Sequence, residues 1–298
     1  MTQRPFKTIG LIGKQGDPNI GKTLTILIGY LDNQNLQIIM DENTAQMLTS
    51  PGVQKGKIAD IGRQCDLAIV VGGDGTLLNA ARDLIDYKVP LVGINLGRLG
   101  FLTDITPRTM IDYLGKILDG DYLIEERSLL HCKVIRNGTA TNESDAFNDV
   151  VIHKWNVARM IELETYINGK FVNSQRLDGL IVSTPTGSTA YALSAGGPIL
   201  HPSLDAITIV PVCPHTLSSR PLVVEGKSVI EVVVSQSNHD NTQVTCDGQV
   251  TFGLAAGDHI QIFKKERTIR LIHPPQHDHY EILRAKLRWA ENPHDSNR

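Results

Sequence analysis

The chain lacks the features that tie a protein to a membrane, a polyanion or an oxidising compartment. No apolar run in its 298 residues approaches the roughly 18 that a membrane-spanning helix needs. The opening MTQRPFKTIG carries no charged-then-apolar leader, so the expectation is a cytoplasmic protein with no membrane partner. A formal charge of −3 gives no electrostatic reason to bind nucleic acid or an anionic bilayer, and the KKER stretch at 264–267 is too short to change that. Cys65, Cys132, Cys213 and Cys246 lie far apart without a C-x-x-C pair, which argues against a zinc knuckle or a disulfide scaffold and for reduced thiols. What remains is a chain long enough for one large or two ordinary domains, with small-molecule chemistry as the expectation.

The patterning changes near residue 120. Before it, short apolar strands at 7–13, 36–40, 67–71 and 90–94 alternate with helical stretches at 22–32, 75–86 and 107–118. That alternation predicts βαβ units, an open parallel sheet, and ligands at the strand C-termini. From 121 to 273 short strands are punctuated by Asn137-Gly138, Asn168-Gly169 and Asp247-Gly248, the dipeptides of tight hairpins, so an antiparallel β-sandwich is expected. The closing HYEILRAKLRWA (279–290) places Tyr280, Leu283, Leu287 and Ala290 on one helical stripe, which predicts a helix returning to the first domain. The tail ENPHDSNR reads as frayed. The resulting division is 1–120, with 279–298 packed back on it, and 121–278.

Two stretches in the first part compete as phosphate loops. GDPNIGKT (16–23) satisfies G-x-x-x-x-G-K-[ST] between a strand and a helix, the pattern of nucleoside-triphosphate hydrolases. The other is Gly72-Gly73-Asp74-Gly75-Thr76, which follows the buried strand 67–71. Its glycines let backbone N–H groups approach an anion at the positive end of the next helix. A carboxylate at Asp74 repels phosphate, so it makes sense there as an acceptor for a reacting hydroxyl or a ligand of a metal ion beside the phosphates. The plainer alternative is Asp74 as a helix N-cap. A hydrolase loop also wants an Asp ending a second strand to hold Mg²⁺, and strand 67–71 ends in glycines. Lys22 is therefore expected to be an ordinary residue at a helix start.

In the second part, LDGLIVSTPTGSTAYALSAGGPIL (177–200) ends an apolar strand in a concentration of hydroxyls. Thr186, Ser188, Thr189 and Ser194 can donate and accept hydrogen bonds, and Tyr191 offers a flat face for a ring. Helix capping and turn formation explain the same composition. No dedicated metal cage is visible. His277, Asp278, His279 and Glu281 could be grouped as one, but they read as the approach to the last helix.

GGDGTLL, FNDVVIH (147–153), the TPTGSTAY segment and CDGQ (246–249), in that order, resemble the signature set of bacterial NAD kinases, and the similarity runs from the first strand to residue 273. GGDGT alone is shared with diacylglycerol kinases and phosphofructokinases; TPTGSTAY is the specific part. The resemblance implies an N-terminal Rossmann-like α/β domain, a C-terminal β-sandwich with the dinucleotide between them, and homodimers or homotetramers that contribute to the site. It implies Mg²⁺-dependent transfer of the terminal phosphoryl group of ATP to the 2′-hydroxyl of the adenosine ribose of NAD. Residue by residue, Asp74 resembles the family's base and Gly72, Gly73, Gly75 and Thr76 its phosphate loop. Asn148 and Asp149 resemble the pair that fixes NAD, with Asp at 149 where many relatives have Glu. Arg159, Arg176, Asp178, Thr186, Thr189, Ala190, Tyr191, Ala192, Leu193, Ser194 and Gln249 fall on further dinucleotide positions, and Phe101, in GRLGFLT (97–103), on an adenine-pocket position. Other readings compatible with the residues are a lipid or sugar kinase of the same broad superfamily and a non-catalytic NAD(H) sensor.

Overall fold

The computed structural model describes residues 5–48, 52–97, 99–155, 159–238 and 242–289. The readings of Ala290 as the end of a helical stripe and of 291–298 as a frayed tail lie outside them. The chain divides into two compact units, Met1–Glu126 with Ile269–Arg298, and Arg127–Thr268.

The first unit runs β1 (Thr8–Gly13), α1 (Ile20–Asn33), β2 (Gln37–Asp41), α2 (Glu42–Ala45), β3 (Gln54–Gly56), α3 (Ile58–Gln64), β4 (Leu67–Gly72), α4 (Asp74–Leu84), β5 (Leu91–Asn95) and α5 (Met110–Leu118). Strands β5, β4, β1, β2 and β3 are parallel neighbours in that order. Every residue of β4, LAIVVG, is buried. A strand covered on both faces has no polar side, which is why its sequence is a continuous apolar run rather than an alternation. Helix α1 buries Ile20, Leu24, Leu27 and Leu31, the spacing of one helical face. These side chains join Leu11, Ile69, Val71 and Ile94 in one core. The segment holding β3 and α3 carries no element in the sequence reading. Only Ile61 of α3 is buried, and Gly62 is required there because a Cβ would meet the Tyr87 ring at 2.4 Å. Such a helix has almost no periodicity to detect.

The second unit is antiparallel. Its strands are β6 (Leu123–Arg136, which begins before the boundary), β7 (Thr139–Ala146), β8 (Asp149–Lys154), β9 (Ile161–Ile167), β10 (Lys170–Leu177) and β11 (Gly179–Ser183). After a single 3₁₀ turn (Thr186–Thr189) and α6 (Tyr191–Ser194) come β12 (Ala206–Val212), β13 (Leu222–Glu225), β14 (Ile230–Val234), β15 (Thr242–Cys246), β16 (Val250–Leu254) and β17 (His259–His273). One sheet has the order β13-β12-β11-β8-β15-β16. The other contains β10, β9, β14 and the start of β17, with β6 and β7. Val150, Ile152, Leu180 and Val244 of the first sheet share a core with Leu130, Cys132, Leu163, Val232 and Ile260 of the second, so this unit is a sandwich. Asn137, Asn168 and Asp247 have φ of 51°, 51° and 52°, each followed by a glycine with positive φ. These are the conformations that two-residue hairpin turns demand.

The end of β17 belongs to the first unit, where Leu271 pairs in parallel with Leu91. It is followed by α7 (His279–Leu287), capped by the Asp278 carboxylate, which accepts the Tyr280 N–H at 2.8 Å. The buried face of α7 is Ile282 and Leu283, while Tyr280 is 58% exposed. Of the stripe read from the sequence, Leu283 is buried and Tyr280 is not, so the packed face is turned toward Ile282.

Candidate active site

In the first unit the GGDGT turn is built by close packing. A Cβ on Gly72 would meet Thr76 Oγ1 at 2.4 Å, whereas one on Gly73 would have no atom within 4 Å. Gly72 is thus needed for the turn to close, and Gly73 leaves its backbone open to an approaching group. Gly73 is the N-cap of α4, without a side-chain cap bond, and Asp74 is the first helical residue. The alternative of Asp74 as N-cap is excluded. Its carboxylate turns instead to the loop after β5: Oδ2 accepts the Phe101 N–H at 2.8 Å, and Oδ1 accepts the Leu102 N–H at 3.1 Å, the Thr103 N–H at 3.2 Å and the Thr103 hydroxyl at 2.9 Å. The Thr76 N–H is spent on the Gly73 carbonyl at 3.0 Å. Gly100 completes the cradle, since a Cβ there would lie 2.1 Å from Asp74 Oδ1. Phe101 therefore meets the phosphate turn through its backbone, and Lys286 of α7 sits 5.4 Å over its ring.

GDPNIGKT folds differently. Asp17 accepts the Asn19 N–H at 3.0 Å and pairs with Lys14 at 3.6 Å. Lys22 is exposed in the first turn of α1, and the buried Thr23 hydroxyl donates to the Asn19 carbonyl at 3.3 Å. A carboxylate already uses one loop N–H and the hydroxyl that would meet Mg²⁺ is turned into the helix, so the match is a pattern without the cradle.

The second unit repeats the clasp seen at Asp74. Asp247, at the positive-φ corner of the β15–β16 hairpin, accepts the N–H groups of Phe147, Asn148 and Asp149 at 3.0, 2.7 and 3.2 Å. Asp149 is buried, and burial together with the nearby Asp247 charge pushes its carboxyl up to about 7. The Asn148 side chain is half-buried and makes no hydrogen bond to the described residues. TPTGSTAY packs on this strand entry: the Thr184 hydroxyl donates to the Phe147 carbonyl at 2.7 Å and accepts the Gly187 N–H at 3.0 Å. A Cβ on Gly187 would lie 2.1 Å from the Asn148 carbonyl oxygen. Buried Arg127 donates to Thr186 Oγ1 at 3.2 Å.

Thr189 donates to the Thr186 carbonyl at 3.3 Å, and α6 carries Tyr191, exposed, with Ala192 buried and Leu193 and Ser194 following. Ser188 belongs wholly to the scaffold, donating to Pro185 and accepting the Leu200 N–H at 2.9 Å. Asp178 pairs with Lys154 at 2.5 Å. Arg159, Arg176 and Gln249 are exposed. The structure thus gathers Gly72–Thr76 with Phe101 in one unit, and Asn148, Asp149 and Thr186 in the other. Asp247, Thr184, Gly100 and Thr103 are not among the candidates that the sequence yields, although CDGQ and GRLGFLT contain three of them. Asp247 was hidden by its equally good reading as a hairpin corner.

Comparison with known proteins agrees over nearly the whole chain. Residues 9–122 match the ATP-NAD kinase N-terminal domain and residues 147–274 the ATP-NAD kinase C-terminal domain. The NAD kinase of Nitrosococcus oceani is 51% identical over 287 residues, covering 96% of this chain and 98% of that relative. The NAD kinase of Pseudomonas fluorescens is 52% identical over 285 residues, covering 96% of each. Among solved structures, yeast NADH kinase complexed with NADH superposes with a TM-score of 0.88 at 26% identity, over 97% of this chain and 89% of that one. An NAD kinase from Archaeoglobus fulgidus in complex with ATP gives 0.73 at 26% identity, over 94% and 98%.

Proposed function

The chain belongs to the ATP-NAD kinase family, and from that premise we propose how its residues transfer the γ-phosphoryl group of ATP to the 2′-hydroxyl of the adenosine ribose of NAD, giving NADP. The observation that carries the reading is the Asp74 carboxylate, which opens α4 directly after the glycine turn. A carboxylate has about four lone-pair sites, and among the described residues Oδ2 accepts only the Phe101 N–H. Oδ2 is therefore the atom that takes the 2′-hydroxyl proton. As the ribose oxygen bonds to the γ-phosphorus, the bond from phosphorus to the β,γ-bridging oxygen breaks and ADP leaves with that electron pair. Such a base is worth about 10²–10⁴ in rate, and in-line positioning about 7–11 kcal/mol. Most of the acceleration thus comes from holding the two substrates.

Gly72, Gly73, Gly75 and Thr76 form the turn on which the phosphates rest, at the positive end of α4. Mg²⁺ fits this chemistry, because it takes few protein ligands and completes its shell with phosphate and water. Asp74 would hold it, and when bound it neutralises charge on the triphosphate. Asn148 and Asp149 take the ribose hydroxyls, and Thr186, Thr189, Ala190, Tyr191, Ala192, Leu193 and Ser194 line the dinucleotide. Arg159, Arg176, Asp178, Gln249 and Phe101 supply its outer contacts.

No described helix is long and apolar enough to cross a membrane. We place the enzyme in the cytoplasm, where Cys65, Cys132, Cys213 and Cys246, all free thiols, stay reduced. A homodimer or homotetramer is our reading of its assembly, and Trp155, Phe171 and Leu217, 72%, 59% and 95% exposed in the second unit, are apolar side chains that such a contact could cover. The test is incubation of the purified chain with Mg²⁺, ATP and NAD, reading NADP with an NADP-specific dehydrogenase. NADP from wild type and none from Asp74→Ala is the expected result. No NADP from NAD and no NADPH from NADH, in folded protein, overturns the reading.

A further inference from the structure

The loop that Asp74 clasps is held at its other end by a second, unrelated device. Asp104 follows Thr103 directly, and its Oδ2 receives two imidazoles, His273 Nδ1 at 3.0 Å and His277 Nδ1 at 2.7 Å. The two rings are stacked, with centroids 3.8 Å apart and planes 27° from parallel. Both side chains are almost fully buried, 2% and 4% exposed. A carboxylate oxygen shared by two rings takes an N–H from each Nδ1, which turns each Nε2 away from Asp104. Neither Nε2 has a hydrogen-bond partner. Each faces a carboxylate oxygen of Glu125 at 3.5 Å.

Each Nε2 is buried beside an anion without a bond to it among the described residues, and a polar atom buried without a partner costs about 1–3 kcal/mol. A proton on one ring would serve that ring alone. A single divalent ion satisfies both nitrogens and the carboxylate at once. The 3.5 Å from each Nε2 to its Glu125 oxygen suits it: tetrahedral bonds of 2.0–2.2 Å place neighbouring ligand atoms about 3.3–3.6 Å apart. We propose that His273 Nε2, His277 Nε2 and the Glu125 carboxylate bind one zinc-type transition-metal ion, with Asp104 behind both rings.

Asp104 then plays the outer-shell part of a carboxylate–histidine–metal arrangement, fixing the tautomer and aiming both Nε2 atoms. The donor set separates this ion from the one carried by ATP, because imidazole suits zinc, copper or nickel and Mg²⁺ prefers oxygen. Entry is available through a cavity of about 280 Å³ that Asp104 and His277 line together with Leu99, Tyr113 and Glu281. Bound there, the ion would lock β17, the start of α7 and the residue after the Asp74 clasp into one rigid corner. The proposal stands on these side chains alone and is independent of the kinase assignment.

The test uses the full chain carrying Cys213→Ser, so that the one exposed thiol cannot capture metal. After chelation and dialysis against Zn²⁺, bound metal is measured, and Co²⁺ is substituted to read its coordination by visible absorption. One ion per chain is expected, with a raised melting temperature and a tetrahedral cobalt spectrum lacking thiolate charge transfer. His277→Ala and Glu125→Gln should abolish stoichiometric binding, and Asp104→Asn should weaken it about 10–100-fold. Glu125→Gln preserves shape, so it decides the matter if His277→Ala fails to fold. Zinc content or a cobalt spectrum unchanged by Glu125→Gln, or no ion retained by the parent chain, overturns the proposal.

Discussion

Asp74 and Asp247 lie in different units, yet each gathers three consecutive backbone N–H groups, those of residues 101–103 and of residues 147–149. A carboxylate used this way replaces a stretch of secondary structure, because it satisfies donors that a loop would otherwise leave unpaired. The two clasps differ in what lies beside them. Asp74 opens a helix after a glycine whose surroundings are empty, so its spare lone pair can meet a substrate. Asp247 sits against a second carboxyl, Asp149, whose proton it makes harder to lose. On the proposed mechanism the clasping group of the first unit is itself reactive, whereas in the second it tunes its neighbour.

The sharpest way to break that distinction is to remove each clasp in turn. Asp74→Asn should lower kcat by about 10²–10⁴, the usual worth of a general base, with a smaller change in KM for NAD. Unimpaired turnover with ordinary metal dependence would reduce Asp74 to a structural clasp like Asp247. Gly100→Ala tests the cradle while leaving the charge of the Asp74 carboxylate in place. Its methyl would fall 2.1 Å from Asp74 Oδ1, so the loop must shift. Overpacking of this kind costs about 1–3 kcal/mol, and a reduced melting temperature should accompany a kcat loss of at least tenfold. A variant that loses stability but keeps kcat would show that the cradle only holds the loop.

In the second unit the comparison sharpens through pH. Asp149 holds its proton up to about 7 because it is buried beside Asp247. Its folded value lies above the unfolded one, so the native state binds the extra proton and stability falls as pH rises from the ordinary carboxyl range through about 7. Asp149→Asn removes that cost and should raise the melting temperature relative to wild type more at about pH 8 than at about pH 5. Function runs the opposite way, since an acceptor for ribose hydroxyls is lost on protonation: KM for NAD should climb as pH falls below about 7. Asp247→Asn removes the neighbouring charge and should move that rise to lower pH. A KM profile identical in both enzymes would leave Asp247 with no electrostatic role.

Local sequence made much of this fold readable. β4 is a continuous apolar run because both faces are covered, and the turns at Asn137, Asn168 and Asp247 could be placed because positive φ selects Asn, Asp and Gly. The clasps were not readable, since Asp74 meets partners 27 to 29 residues away and Asp247 meets partners 98 to 100 away. No periodicity encodes such contacts. In the sequence His277 groups with its chain neighbours Asp278, His279 and Glu281, but Asp278 turns to cap α7 and His277 pairs with Asp104, 173 residues distant. A reactive-looking residue in a sequence thus shows its chemistry sooner than its supports, which are set by how the chain returns.

The smallest effect is expected at Lys22, where the sequence match to a phosphate loop is complete and the physical parts are missing. A working loop offers bare N–H groups and a hydroxyl to Mg²⁺. Here Asp17 takes the Asn19 N–H, Thr23 turns its hydroxyl to the Asn19 carbonyl, and Lys22 stands in solvent. A carboxylate at the mouth of the turn would also repel the anion the lysine is meant to attract. Lys22→Ala should therefore leave kcat and both KM values within about twofold of wild type, and alanine's helix propensity should leave stability within about 0.5 kcal/mol. A loss of kcat approaching that of Asp74→Asn, in folded protein, would mean that the triphosphate lies over α1 rather than α4, and the division of labour between the two clasps would have to be redrawn around it.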